Sequence, residues 1–501
     1  MTAANRTKYL DFLGLSCIGA MSFGYIVFVR PFAELHIQFS FLNFPIFVGE
    51  ILLFICLLLF LAKCMVDQQK IEGRHYVLIC YFVFVLAKAL WGYSKWGPLA
   101  FRHAALLYYP VFAVFGYYFF RADFYDQNKR LLVFLLIVLM FILQKESMLW
   151  PLSGFILGVV LVFSYSNKIV KYSLLLLLCC VAPFKFIIHN SRTLIVGHLA
   201  SFVYLVTSGY FVSRVKNGIK WTVIAFVVVA GVITNRIVYR GSLSTFLNIN
   251  EVLKVINRYD EIRRERLMTH QPLAIKVNLY NPESSEKDPQ ESVSKVSEQA
   301  ESTKVTNGDD NLSFSSAGSL SKEEEIFWNK KEAGSDRSFY SAAGSMAFRY
   351  FIWQDMLREF SIVKPIWGFD FGKPLRSPSI EALVIGSGEW KKDGWIEAHN
   401  SFLHIIYRTG IVGVSFIIFI FSNLFNTTKF CIQSKSWIGM LLCAVIIQWF
   451  VSANFMPIFE LPYTAIPIWS LYGMTLAYCG RKAINESVDL GFQNRILSQT
   501  N

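Results

Sequence analysis

The 501-residue chain is 54% hydrophobic and 17% charged, with a mean hydropathy of +0.43, a balance too apolar for a soluble domain of ordinary composition. Its net charge of +13 does not mark a nucleic-acid binder, because the Lys and Arg residues fall in short clusters between apolar runs and no basic-aromatic module is present. The nine cysteines lie in or beside the apolar runs, which indicates neither a disulfide framework nor a Cys-based metal site.

The apolar runs are roughly 17 to 22 residues long, the length at which a helix crosses a bilayer with its backbone groups satisfied internally. The expected fold is therefore all-α, a polytopic membrane protein with about twelve transmembrane helices. Hydropathy places spans near 10–29, 45–64, 76–92, 103–120, 130–145, 149–165, 171–188, 193–213, 220–235, 402–421, 436–453 and 461–479. The first run is followed by no cleavage site and is read as a retained span. Clusters such as Arg6 and Lys8, Lys63 to Arg74, Arg214 to Lys220, and Arg481 with Lys482 share one side if the N-terminus is cytoplasmic. Both termini are then inside, and the long loop between spans nine and ten is outside.

This gives an N-terminal membrane bundle over 1–235, a loop over 236–401, C-terminal spans over 402–480 and a cytoplasmic tail over 481–501. Within the loop, 281–345 is rich in Ser, Glu, Lys, Asp and Gly and lacks the apolar content that offsets ordering entropy, so it reads as a disordered insertion. On either side, 249–268 and 345–360 carry apolar residues at helical spacing and read as amphipathic helices.

Three polar features fall on the outer side of this topology. Ser191-Arg192 precedes the eighth span, where the positive-inside bias works against an arginine; the plainer reading is a snorkelling anchor. Arg349, Trp353 and Leu357 share a helical face ahead of a turn with Pro365, Gly368 and Gly372, and a guanidinium so presented suits bidentate phosphate binding as well as simple solvation. His399-Asn400 opens the tenth span. Asn400 is suited to cap that helix, which leaves His399 for general-base duty, and Arg408 lies deeper, where a charge should face a cavity and not lipid. Glu389, Trp390, Asp393, Trp395 and Glu397 suit either a sugar site or an interfacial belt.

The order SR-span, long outer loop, R-x3-W-x3-L, P-x2-G-x3-G and then A-H-N-S-x-L-x6-G-x2-G resembles the bacterial O-antigen ligase and polymerase superfamily, membrane glycosyltransferases of GT-C type. Residues 345–415 carry the specific part of the likeness, and the Ser-rich insertion before Arg349 departs from the family pattern. The resemblance implies a multi-pass protein of the bacterial inner membrane with a periplasmic loop. It also implies transfer of a glycan from an undecaprenyl-diphosphate-linked donor to an acceptor hydroxyl, with no cofactor and no metal. Carried over by position, Arg192 and Arg349 would hold the diphosphate and His399 would activate the acceptor, with Ser191, Trp353, Asn400 and Arg408 in support.

The leading expectation is an O-antigen ligase acting on lipid A-core. A repeat-unit polymerase with a glycan acceptor and a protein O-oligosaccharyltransferase stay open beside it. No paired carboxylates with acid-base spacing suggest a glycosyl-enzyme, so inversion by direct displacement is expected. A transporter or flippase for lipid-linked glycan is the alternative of another class; membrane lipids surround the protein on every reading, and nucleic acid is not an expected partner.

Overall fold

A computed structural model describes residues 3–38, 45–67, 73–120, scattered positions between 196 and 208, 249–269, 342–383 and 398–499. The spans expected near 130–145, 149–165, 171–188 and 220–235, most of that near 193–213, and nearly all of the Ser-rich insertion lie outside the described residues.

In chain order the described elements are α1 (Ala3–Ala33), β1 (His36–Ile37), β2 (Ile46–Phe47), α2 (Val48–Asp67), α3 (Gly73–Trp96), α4 (Leu99–Tyr108) and α5 (Val111–Phe119). They continue with α6 (Ile249–Thr269), α7 (Ala342–Val363), α8 (Pro378–Leu383), α9 (Ser401–Thr409), α10 (Ile411–Gln433), α11 (Trp437–Ser452) and α12 (Pro462–Gln499). The strands form one short antiparallel pair, His36 opposite Phe47 and Ile37 opposite Ile46.

Four described helices are long and apolar enough to cross a membrane, at Asn5–Ala33, Val48–Val66, Tyr76–Trp96 and Ile411–Gln433; α4 and α5 together make a fifth, bent by 41°. Pro110 causes that bend, since it has no N–H to continue α4 and is suited to start α5. The span expected near 402–421 is displaced. Its first turns form the separate nine-residue helix α9, and the chain breaks at Gly410 (φ 58°, ψ −132°) before the long helix begins at Ile411. A side chain at Gly410 would strike the Ile366 carbonyl, so the break depends on glycine.

The chain divides into two compact units, one of residues 1–248, 353–375 and 396–501, the other of 249–352 and 376–395. The loop expected over 236–401 is thus shared between them, and α7 contributes to both.

In the first unit an aromatic core joins Phe402, Phe450, Phe459, Trp469 and Tyr472, with neighbouring ring centroids 5.0 to 6.0 Å apart. Beside it α5 and α12 approach at backbone distance. A Cβ on Gly116 would strike the Ser470 backbone, and one on Gly473 the Ala113 backbone. This reciprocal small-residue contact lets two helices pack where lipid supplies no hydrophobic drive. Gly473→Val is accordingly expected to lower stability by about 1–3 kcal/mol, read as a fall in the unfolding midpoint in detergent; an unchanged midpoint would contradict the close contact.

Lys63, counted above among the cytoplasmic flanking charges, is not a solvated anchor. It is 4% exposed, as is Asp11, and its Nζ donates to the Asp11 carboxylate and to the Tyr118 carbonyl at 2.7 Å, tying α1, α2 and α5 together. Ser201, in the region of the eighth expected span, donates to the Ala444 carbonyl of α11 at 2.8 Å.

The second unit holds α6 and α8. Arg263 on α6 pairs with Asp260 at 2.5 Å and donates to Ser379 Oγ at 3.0 Å, and its guanidinium stands 5.4 Å from the Phe351 ring. Helices are present where both were read from sequence, as α6 and α7, though the apolar residues of α7 are spread around the helix and not gathered on one face.

Candidate functional site

The A-H-N-S segment forms a tightly held corner at the start of α9. The Trp353 indole N–H donates to the Ala398 carbonyl at 2.7 Å on one side of His399. On the other side Asn400, in extended conformation, accepts from the Leu403 N–H at 2.9 Å through its side chain, so it is the N-cap expected from sequence. The Ser401 N–H donates to the Ala453 carbonyl at 2.8 Å. Between these fixed points His399 takes a left-handed conformation (φ 49°) and is half-buried.

Beneath the corner runs a chain of polar contacts. Ser401 Oγ donates to Glu460 Oε2 at 2.5 Å and accepts from the Phe459 N–H at 3.1 Å. The other oxygen of Glu460 lies 3.2 Å from His404 Nδ1, and His404 Nε2 lies 3.3 Å from Arg408 Nε. Arg408 must donate, so His404 Nε2 accepts and the imidazole proton sits on Nδ1, pointing at the carboxylate. The directions of the bonds therefore require a neutral ring. Burial, the largest influence, lowers the His404 pKa, against the raising effect of Glu460.

Arg408 is fully buried. Its Nη1 donates to the Asp370 and Lys373 carbonyls, both at 2.9 Å, and binds the turn after α7 to α9. Burial pushes its pKa down to about 10, which leaves it a cation at neutral pH. Three of its donors engage protein groups, and Nη2 has no partner among the described residues.

Two more side chains hold the same turn. Lys88 of α3 donates to the carbonyls of Trp367, Gly368 and Arg408, the last at 2.6 Å. His103 of α4 accepts from the Gly372 N–H at 2.9 Å through Nδ1, which puts its proton on Nε2, a buried atom with no partner among the described residues. Gly368 and Gly372 have φ of 74° and 87°, and a side chain on either would collide with Arg408 or Trp96. Outward of Arg408, Glu359 accepts from Tyr407 at 2.5 Å and pairs with Lys373 at 2.6 Å, and Asp370 pairs with Lys95 at 3.2 Å.

No protein-family model matches this chain, and no curated protein or solved structure is significantly similar to it. Its chemistry is read from the residues themselves. The first unit brings Trp353, His399, Asn400 and Arg408 into one neighbourhood. Arg349 belongs to the second unit, where it is half-buried and burial lowers its pKa. Ser191, Arg192, Glu389, Trp390, Asp393, Trp395 and Glu397 lie outside the described residues.

Sequence reasoning did not single out Glu460, His404, His103, Lys88 or Glu359. His404 and Arg408 stand one helical turn apart, and Glu460 is a lone carboxylate in an apolar stretch; both were signals open to reading.

The neutral state of His404 fixes a pH response. An unfolded chain takes up this proton below about pH 6.5, whereas the folded chain resists it to lower pH. Stability is therefore level above that value and falls as pH drops beneath it, because the unfolded state binds more protons. His404→Gln is expected to flatten this part of a plot of unfolding midpoint against pH from 7.5 to 5.5. An unaltered slope would show that the histidine binds its proton alike in the folded and unfolded chains, against the neutral ring that the bond directions require.

Proposed function

We propose that this chain is a membrane glycosyltransferase that moves an undecaprenyl-diphosphate-linked glycan onto an acceptor hydroxyl at the outer face of the bacterial inner membrane. Lipid A-core is the leading acceptor. The finer topology behind this reading, about twelve spans with a periplasmic loop, is part of the proposal.

The observation that carries it is that one capped helix follows His399 at its start and carries His404 and Arg408, members of a donor-rich cationic network, on its later turns, among apolar helices. Arg408 Nη2 and His103 Nε2 are buried donors unmet among the described residues, which suits a site that handles anions near lipid. The sequence resemblance supplies the roles. Arg192 and Arg349 bind the diphosphate, and His399 takes the acceptor proton.

In the reaction the acceptor oxygen bonds to the anomeric carbon as the bond from that carbon to the diphosphate breaks. The electron pair leaves with undecaprenyl diphosphate, and the acceptor proton passes to His399. Guanidinium charge stabilises the diphosphate as its negative charge grows. Direct displacement inverts the anomeric centre.

Purified protein supplied with an undecaprenyl-diphosphate glycan is expected to glycosylate lipid A-core. Transfer only to a growing glycan would make the chain a polymerase, and transfer only to a Ser/Thr peptide a protein glycosyltransferase. Movement of the donor across a vesicle membrane without covalent transfer would replace the reading with transport.

A further inference from the structure

Glu460 sits where two polar paths meet. Its Oε2 takes the hydroxyl of Ser401, two residues after His399, and the same hydroxyl receives the Phe459 N–H, so the carboxylate and its own loop grip the first turn of α9 from below. Its Oε1 takes the Nδ1 proton of His404, whose other nitrogen receives Arg408, and Arg408 holds the turn at Asp370 and Lys373. With its side chain only 6% exposed, this carboxylate has those two donors and little water.

We infer that Glu460 is a positioning residue for His399, acting through Ser401 on the helix start and through His404 and Arg408 on the turn that follows α7. The inference rests on the role proposed for His399, and it adds a residue that no motif in the sequence marks. Glu460 touches no reacting atom in this account.

The physical need is clear from the backbone. His399 is held in a left-handed conformation that a non-glycine residue adopts only when its surroundings impose it. The Ala398 carbonyl is fixed by Trp353, Asn400 caps its own helix, and Ser401 is a point where another segment grips the chain after His399. A shift of about 1 Å at a reacting group is enough to cost about a hundredfold in rate.

Glu460→Gln keeps the size of the side chain and replaces one acceptor oxygen by a donor nitrogen, so it keeps one arm and loses the other. Ser401→Ala removes the arm toward His399, together with the contacts of the same hydroxyl to the Phe459 N–H and the Met456 carbonyl, and leaves the His404 arm in place. Two readouts are taken on the full-length protein in detergent. The first is kcat and KM for glycan transfer, where both variants are expected to lose about 10- to 100-fold in kcat with KM for the donor unchanged. The second does not depend on transfer: the rate at which diethylpyrocarbonate acylates His399, followed by peptide mass spectrometry with the exposed His36 as internal reference. Both variants are expected to raise that rate about threefold or more as the corner loosens.

If wild-type protein transfers glycan while both variants match it in kcat and in His399 acylation, the positioning role is overturned and the proposed function stands. If wild-type protein transfers nothing, the proposed function falls, and the acylation rates alone decide whether Glu460 sets the placement of His399. Should Glu460→Gln fail to fold, Ser401→Ala decides by the same two measurements.

Discussion

Replacing His399 by asparagine should lower glycan transfer at least about a hundredfold, the smaller end of what a positioned general base supplies. Asparagine is the informative choice because it tolerates the left-handed backbone found at this position (φ 49°), whereas alanine adds strain to the loss of the imidazole. The helix start should survive the change, since Asn400 caps α9 and Ser401 anchors it independently of the His399 ring. KM for the lipid-linked donor should change little, because the diphosphate is assigned to arginines elsewhere in the chain. Transfer within about twofold of wild type, measured with equal amounts of folded protein, would remove His399 from the chemistry.

A second large effect is expected far from this corner. Asp11→Leu leaves the Lys63 ammonium buried, with the Tyr118 carbonyl its remaining acceptor among the described residues. Removing one partner of a buried pair costs about 3–5 kcal/mol, because the surviving charge lacks both water and counter-charge. The double change Asp11→Leu with Lys63→Met removes both charges and should recover most of that loss. Unfolding midpoints of the two single variants and the double variant in one detergent give the test. A double variant as unstable as Asp11→Leu alone would mean that packing around α1, and not charge, sets the effect.

Much of the helical plan was legible from hydropathy. The first three expected spans correspond to α1, α2 and α3, and the helices expected around 249–268 and 345–360 are α6 and α7. Averaging over a window conceals single-residue events, so the break at Gly410 and the bend at Pro110 were both read through as continuous spans. The same averaging made Lys63 look like a flanking charge, since one cation near the end of an apolar run reads alike whether it meets water or a carboxylate.

At the candidate site the cap at Asn400 and the turn at Gly368 and Gly372 followed from local rules of backbone conformation. The network under His399 did not, because its decisive partner comes from another part of the chain. Glu460 is 56 residues from His404, and no local period links them. Lys88 is further still, 320 residues from the Arg408 carbonyl that it holds. Only the fold places these groups together.

The notch where Gly116 and Gly473 admit neighbouring backbones also bears on how the protein is made. During translation α5 is made long before the ribosome reaches α12, so the notch at Gly116 waits for the backbone that fills it. A chain that stops ahead of Pro462 lacks this seal, and arrival of the late helix completes the packing.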